Sequence, residues 1–337
     1  MKAIGYRTPG TIDRQDALVD IELTQPKAAG RDILVKVEAV SVNPVDTKIR
    51  RSAAPADGEW KVLGWDAVGT VMEAGPDAHS LRPGDEVYYA GALTRPGANS
   101  EFHLVDERVV GRKPTSITNA EAAALPLTAI TAWEMLFDRL DIRKPVAGAA
   151  NAIVIIGGAG GVGSIAIQLV RALTDLTVIA TASRPETQAW AKDLGAHHVV
   201  DHSKPIAAQV AELGLGAPAF VFSTTETHRH LAEIAELIAP QGRFGLIDDP
   251  ESLDIVGFKR KAVSVHWELM FTRSLFETAD MAEQGRLLTE VAKLVDGGQI
   301  RTTVTETLSP INAANLKTAH QLIETGSARG KIVLEGF

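Results

Sequence analysis

The amino-acid sequence predicts an α/β protein with a mainly β N-terminal part and a doubly wound parallel-sheet domain. Three observations carry this. From Ala152 onward, short apolar runs alternate with helical patterns, as in a parallel sheet with crossover helices. The run Ile153–Ile156 is continuously apolar, the mark of a strand buried on both faces. The first 125 or so residues read instead as short strands broken by turns.

In order along the chain, Ile33–Val40 and Val68–Met72 are strands, and Pro83-Gly84-Asp85-Glu86 is a turn feeding Val87–Tyr89. Glu101–Val105 is a further strand. Ala120–Leu125 reads as helical, Pro126 interrupts, and Thr128–Leu140 reads as a second helix. Beyond Ile153–Ile156, a helix is expected over 161–173 and a strand over Leu176–Thr181. The next helix carries Pro185 in its first turn and stops at Gly195. Strands follow at His198–Val200, Phe220–Phe222, Phe244–Ile247 and Ala262–Val265. Between the second and third of these, Leu231, Ile234, Ala235 and Ile238 share a helical face. The tail holds one helix bearing Leu287, Leu288, Val291, Leu294 and Val295. Another runs from Ser309-Pro310 to Gly326, and Lys331–Leu334 is a final strand.

The 337 residues suffice for about two domains, with the composition of an ordinary globular protein. The net charge is −8, from 34 basic and 42 acidic residues, which disfavours nucleic acid and anionic membranes as partners. The short basic runs Arg50-Arg51 and Lys259-Arg260-Lys261 read as solvated surface. No cysteine is present, so disulfides, thiolate metal sites and thiol nucleophiles are excluded. The N-terminal residues lack the apolar core of a signal peptide, and a cytoplasmic location is expected. Val146–Val170 is uncharged and long enough to cross a bilayer, with Gly157 and Gly161 at small-xxx-small spacing. Glycines at 157, 158, 160, 161 and 163 split it into strand, turn and helix, so a soluble segment is expected.

That glycine cluster carries the chemistry. Gly158-Ala159-Gly160-Gly161-Val162-Gly163 matches G-x-G-x-x-G, and it directly follows a buried strand and opens a helix, the context the motif requires. The first glycine permits a tight turn, the second lets backbone approach a pyrophosphate, and the third lets helix and strand pack closely. Free N–H groups at the helix start then face the phosphates. The plainer reading is a structural glycine turn. About 20 residues on, NAD-preferring proteins place a carboxylate for the ribose hydroxyls. Here the stretch is Thr181-Ala182-Ser183-Arg184-Pro185, without one. Ser183 can donate to a 2′-phosphate and Arg184 can give it a charge-assisted contact, so NADPH is expected over NADH. The alternative for Arg184 is a solvated position at a helix start.

With these pieces the chain resembles the medium-chain dehydrogenase/reductase superfamily over nearly its whole length. The resemblance rests on the nucleotide motif, Ser41-Val42-Asn43-Pro44-Val45-Asp46, Leu63–Gly69, Pro83–Val87 and Ala124–Trp133. It is closest to the quinone oxidoreductase branch, including the zinc-type alcohol dehydrogenase-like subgroup. The resemblance implies a GroES-like catalytic domain over 1–125, a Rossmann NADPH-binding domain over 126–269, and a return to the catalytic domain over 270–337. It also implies a homodimer through the Rossmann sheets and hydride transfer to a small-molecule acceptor in the interdomain cleft.

Zinc alcohol dehydrogenases resemble this chain around the early strand but supply Cys where Asn43 stands. They supply His in the element matched by Gly64-Trp65-Asp66, and a third ligand near Thr128–Thr131. Asp66 is at most one oxygen donor, and a catalytic zinc needs three protein ligands plus an open position. A metal-free site is therefore expected, and the histidines at 197, 198, 202, 228 and 230 read as surface or packing residues. Without a Lewis acid, an acceptor that delocalises incoming charge, a quinone or an α,β-unsaturated carbonyl, is expected.

The resemblance implies that Asn43 lines the nicotinamide and substrate pocket as a neutral donor and that Thr131 contacts the nicotinamide side. Gly160, Gly161 and Val162 would hold the pyrophosphate, Ser223 and Thr224 would pass near the adenine ribose, and Lys331 would sit on the phosphates. Plainer alternatives stand beside these: Asn43 as a turn cap, Thr131 back-bonded in its helix, Ser223 and Thr224 as a strand end, Lys331 solvated. Asp46 and Lys48 are further polar candidates, and Tyr88 and Tyr89 read as packing. The bulky Trp267–Phe271 segment is either an apolar substrate wall or a packing surface. Two other functions fit the fold: a zinc alcohol dehydrogenase, and a non-enzymatic NADPH-binding protein like lens crystallins or RNA-binding relatives.

Overall fold

The computed structural model describes residues 1–337 and comprises two compact units, Met1–Ile130 with Phe271–Phe337, and Thr131–Met270. In chain order, β1 (Lys2–Tyr6) and β2 (Val19–Glu22) are followed by β3 (Asp32–Val42), α1 (Pro44–Ser52) and β4 (Lys61–Val62). Next come β5 (Ala67–Ala74), β6 (Glu86–Tyr89), β7 (Phe102–Asp106), β8 (Val110–Arg112), α2 (Asn119–Ala123) and α3 (Pro126–Trp133). The unit boundary falls within α3, which continues as a π-helical stretch over Glu134–Arg139. Pro126 opens this helix rather than interrupting it, because its fixed φ and missing N–H suit a first helical position.

The second unit contains β9 (Ala150–Ile156), α4 (Gly161–Leu173), β10 (Thr177–Thr181), α5 (Pro185–Asp193) and β11 (His198–Val200). It continues with α6 (Ile206–Glu212), β12 (Pro218–Ser223), α7 (Thr227–Leu237), β13 (Arg243–Leu246) and β14 (Ser264–Trp267). The chain then returns to the first unit as α8 (Thr272–Leu275), α9 (Glu283–Asp296), β15 (Val304–Leu308), α10 (Ala313–Glu324) and β16 (Lys331–Glu335).

In the second unit six parallel strands run in the order β11-β10-β9-β12-β13-β14. This is the doubly wound order, with its switch point between β9 and β12, where ligands bind at the strands' carboxyl ends. The apolar run of β9 explains its central place. Val154 and Ile156 pack with Ile179, Val221, Phe244 and the buried side chains of α6 and α7. Ile153 and Ile155 are equally buried, and α4 packs on β9 and β10 through a helix whose residues 163–170 are all buried. Each large aliphatic side chain so buried contributes about 1.5–3 kcal/mol.

The first unit holds a three-stranded sheet, β2-β1-β4, and a seven-stranded sheet in the order β15-β16-β3-β5-β6-β8, with β7 also paired to β3. β16 lies between β15 and β3, parallel to the former and antiparallel to the latter. The predicted apolar face of α9 is buried through Leu287, Leu288, Val291 and Val295. Arg50, read from the sequence as solvated, is instead buried: its guanidinium pairs with Glu324 and donates to His320 and to the Gly10 carbonyl. No helix is long and apolar enough to cross a membrane.

Candidate dinucleotide site and a buried charge cluster

At the switch point, β9 ends at Ile156 and α4 starts at Gly161, and the glycines between them are not equivalent. Gly157 has φ +79°, and a Cβ there would lie 2.4 Å from Thr224 Oγ1. A Cβ on Gly158 would lie 2.8 Å from the Ala180 Cβ, and one on Gly163 would lie 2.3 Å from the Gly157 carbonyl oxygen. The fold itself forbids side chains at these three positions. Gly160 differs: its φ of −71° and ψ of 173° suit any residue, and a Cβ would find its nearest atom 3.5 Å away. It stands as the N-cap of α4 and provides no side-chain cap to that helix. A bare, half-exposed backbone at a helix N-terminus is a cradle for an anion that a Cβ would partly fill. Gly161 and Val162, the first two residues of α4, are also half-exposed.

The loop is tied to the neighbouring strand. Gly157 N–H donates to Thr181 Oγ1 (3.1 Å) and Gly158 N–H to the Thr181 carbonyl (3.0 Å). Thr181 Oγ1 is also 3.0 Å from His202 Nδ1. Just beyond β10, Ser183 is half-buried and Arg184 is exposed at the start of α5, 3.3 Å from Glu186. The stretch from Thr181 to Pro185 thus presents a hydroxyl and a guanidinium beside the glycine loop's strand, and no carboxylate.

Ser223 and Thr224 are otherwise engaged than expected. The Ser223 hydroxyl is fully buried, 2.7 Å from Thr227 Oγ1, which closes it off from a ribose. Thr224 Oγ1 donates to the Ile156 carbonyl (2.8 Å) and so buttresses the glycine turn from behind. Thr131 is buried in the second unit, whereas Asn43 belongs to the first.

Asn43 lies in a charge cluster built by β3, α1, β16 and the segment before β5. Lys331 Nζ donates to Asp66 Oδ2 (3.0 Å), to the Val42 carbonyl (3.1 Å) and to Asn43 Oδ1. All three of its protons have acceptors, and the residue is 3% exposed. The sequence-based placement of Lys331 on cofactor phosphates is therefore corrected: burial and three internal acceptors leave its ammonium no donor for a phosphate. Asp66 Oδ2 also accepts from Ser41 Oγ and Asn43 Nδ2 (both 2.7 Å), and Oδ1 accepts from the Leu127 N–H (2.7 Å).

Asn43 is the N-cap of α1, and Asp46 answers by accepting from the Asn43 N–H (2.8 Å) and from the Gly64 N–H (3.0 Å). Burial pushes the Asp46 carboxyl up to about 7, against the pull of the two N–H donors and Lys331. Among the other candidates, Lys48 is exposed, Tyr88 donates to the Leu288 carbonyl, and Tyr89 meets His103 Nδ1 at 3.0 Å.

A catalytic zinc does not fit this donor set. Position 43 offers an amide, position 65 a tryptophan, and Thr128 donates to the carbonyls of Ala124 and Leu125. Asp66, the one carboxylate at these positions, is saturated by four donors, one of them a cation, and the neighbouring Asp46 is held by two N–H groups. No group of three or more His, Cys, Asp or Glu side chains could hold a metal ion anywhere in the chain.

One pair escaped the sequence reading. Glu134, in the π-helical stretch, and Glu268, just past β14, are both buried and close enough to couple electrostatically, with Arg139 Nε 2.8 Å from Glu268. Burial and the Glu134 carboxyl push Glu268 up to about 9. In the same segment Met270 and Phe271 are buried, while Trp267 and Leu269 are about half exposed at 53% and 51%. Phe271 meets Trp65 edge-on at 6.4 Å between ring centroids.

Comparison with known proteins agrees with this architecture. Residues 29–115 match the alcohol dehydrogenase GroES-like domain, and residues 194–334 match a zinc-binding dehydrogenase family. A zinc-type alcohol dehydrogenase-like protein of Staphylococcus aureus is 38% identical over 99% of both chains. A Rhizobium etli crystal structure, provisionally named a zinc-dependent alcohol dehydrogenase, is 69% identical with a TM-score of 0.99, covering 100% of this chain and 98% of that one. A quinone oxidoreductase of Pseudomonas syringae is 25% identical with a TM-score of 0.81, over 99% of both chains. The chain belongs to the medium-chain dehydrogenase/reductase superfamily of oxidoreductases, with a GroES-like and a Rossmann domain.

Proposed function

We propose that the chain is a zinc-independent, NADPH-dependent reductase that passes hydride to a quinone or an α,β-unsaturated carbonyl. Gly160 carries the cofactor part of this reading: its backbone has no steric need to be glycine, so its bareness serves a bound group. Gly160, Gly161 and Val162 would hold the pyrophosphate at the start of α4. Ser183 and Arg184 would hold a 2′-phosphate, which a carboxylate there would repel.

The donor set around Asn43 carries the substrate part. With Asp66 saturated, Asp46 held by two N–H donors, and no group of three ligands that could hold a metal, the donor set does not suit a metal that would polarise a simple ketone. A quinone or enone delocalises the added charge itself. When bound, the reduced nicotinamide supplies the hydride, and solvent supplies the proton that completes the two-electron reduction. Thr131 would contact the nicotinamide side, and Asn43, whose amide is engaged by Asp66 and Lys331, would act as part of the wall that excludes water.

A homodimer through the Rossmann sheets and a cytoplasmic location belong to the same reading. β14 supports the former, since it pairs only with β13 and leaves its outer edge open. The test follows NADPH oxidation with a panel of quinones and enones, with and without chelator, and with NADH in parallel. Chelator-resistant turnover preferring NADPH is the expected result. Activity on simple alcohols alone, lost with chelator, overturns the reading.

A further inference from the structure

We propose that Lys331 is the resident cation of the Asn43–Asp66 cluster, an internal ammonium that supplies the charge a metal would otherwise bring and fixes the direction of the Asn43 amide. The geometry stands independently of the substrate proposed above. Three oxygens converge on Nζ: a carboxylate oxygen of Asp66, the amide oxygen of Asn43 and the carbonyl oxygen of Val42. Their number matches the three N–H bonds of an ammonium, and both charged partners are buried. A lone Asp66 carboxylate at zero exposure would be costly, and Lys331 offsets part of that cost with one charge-assisted contact while bearing the cost of its own burial.

The same contacts set the Asn43 side chain. Its oxygen faces Lys331 and its nitrogen donates to Asp66 at 2.7 Å. Turning the amide over would aim N–H bonds at the ammonium and an oxygen at the carboxylate. Lys331 and Asp66 together therefore permit one amide orientation, and Lys331 acts as a positioning residue for Asn43. Register holds the arrangement in place, because β16 pairs with β3 so that Ile332 lies opposite Val42.

Removing the Lys331 side chain beyond Cβ would leave the three oxygens facing a vacated channel of the shape of a short alkylammonium ion. Lys331→Ala is therefore compared with wild type by thermal unfolding in ethylammonium chloride, with tetramethylammonium chloride, which has no N–H, at equal concentration. The expected result is a Tm lowered by the substitution and raised again by ethylammonium alone. Wild type and the Asp66→Asn/Lys331→Ala double variant should show no ethylammonium-specific rise.

Should Lys331→Ala not fold, its refolding yield in ethylammonium against tetramethylammonium is the readout, and the charge-neutral Asp66→Asn/Lys331→Met variant is expected to fold unaided. Absence of an ethylammonium-specific effect in both stability and refolding overturns the proposal. So does stoichiometric zinc in purified wild-type protein. Because stability rather than turnover is read, failure here is distinguishable from failure of the reductase reading.

Discussion

Replacing Glu268 with glutamine should flatten the pH dependence of stability between pH 6 and pH 8. Glu268 is 4% exposed, beside the fully buried Glu134, and its carboxyl is raised to about 9 by burial and by that neighbour. In the unfolded chain a glutamate titrates near 4.3. The folded state therefore keeps a proton that the unfolded state has released. Its stabilising effect is fully present below about pH 4 and is lost progressively as pH rises to about 9. Within that window each pH unit costs about 1.4 kcal/mol, so wild type should lose about 2–3 kcal/mol between pH 6 and 8 through this group. Glutamine is neutral throughout, and its amide oxygen can still accept from Arg139. Urea unfolding of both proteins at the two pH values gives the difference directly. Glu134→Gln should shrink it too, since Glu268 would then ionise more readily beside Arg139 at 2.8 Å. Equal pH dependence in wild type and Glu268→Gln would refute the assignment of a raised, protonated Glu268 carboxyl.

Gly160→Ala should fold with unchanged stability yet bind NADPH weaker by about 1–3 kcal/mol, roughly five- to 150-fold in Kd by fluorescence titration. Gly163→Ala should instead cost about 3 kcal/mol in unfolding, because its Cβ would meet the Gly157 carbonyl oxygen at 2.3 Å. Equal behaviour of the two variants would contradict the distinction drawn between these glycines. Ser183→Asp should lower the ratio of NADPH to NADH affinity by about tenfold, worth one charged hydrogen bond lost and one repulsion gained; an unchanged ratio would remove Ser183 from the site. Arg50→Met should destabilise by about 2–3 kcal/mol, because the half-buried Glu324 keeps only the exposed Arg51 and the Gly10 carbonyl and His320 lose their donor, and Glu324→Gln in that background should recover part of it by denaturant titration.

The parts of the fold visible in the sequence were those whose energetics are local in pattern. β9 was legible because a strand buried on both faces must be apolar throughout, and α9 because its buried face repeats every three to four residues. α6 was missed: seven residues with three buried apolar side chains make too short a signal. β15 was missed because its sequence is mostly polar and exposed, and its pairing with β16 is made by backbone. The glycine loop was read for its chemistry, but sequence could not separate the glycines that the fold requires from Gly160. Ser223, Arg50 and Lys331 were misread for a common reason. Each is decided by its partner, and for Arg50 and Lys331 those partners, Glu324 and Asp66, lie 274 and 265 positions away in the chain. The Glu134–Glu268 pair is hidden in the same way, since neither carboxylate has a marked local context.

The separation between Asp66 and Lys331 also sets an order of events during synthesis. The second unit is a single continuous stretch, Thr131–Met270, and all its strands have left the ribosome before β15 or β16 is made. The first unit is split, and its seven-stranded sheet lacks one neighbour of β3 until residues 331–335 arrive. Until then Asp66 has no counter-ion, so the interior around Asn43 cannot dry. The nucleotide-binding half can thus mature while its flanking half waits, and the last strand to emerge delivers both the missing backbone partner and the missing charge in one step.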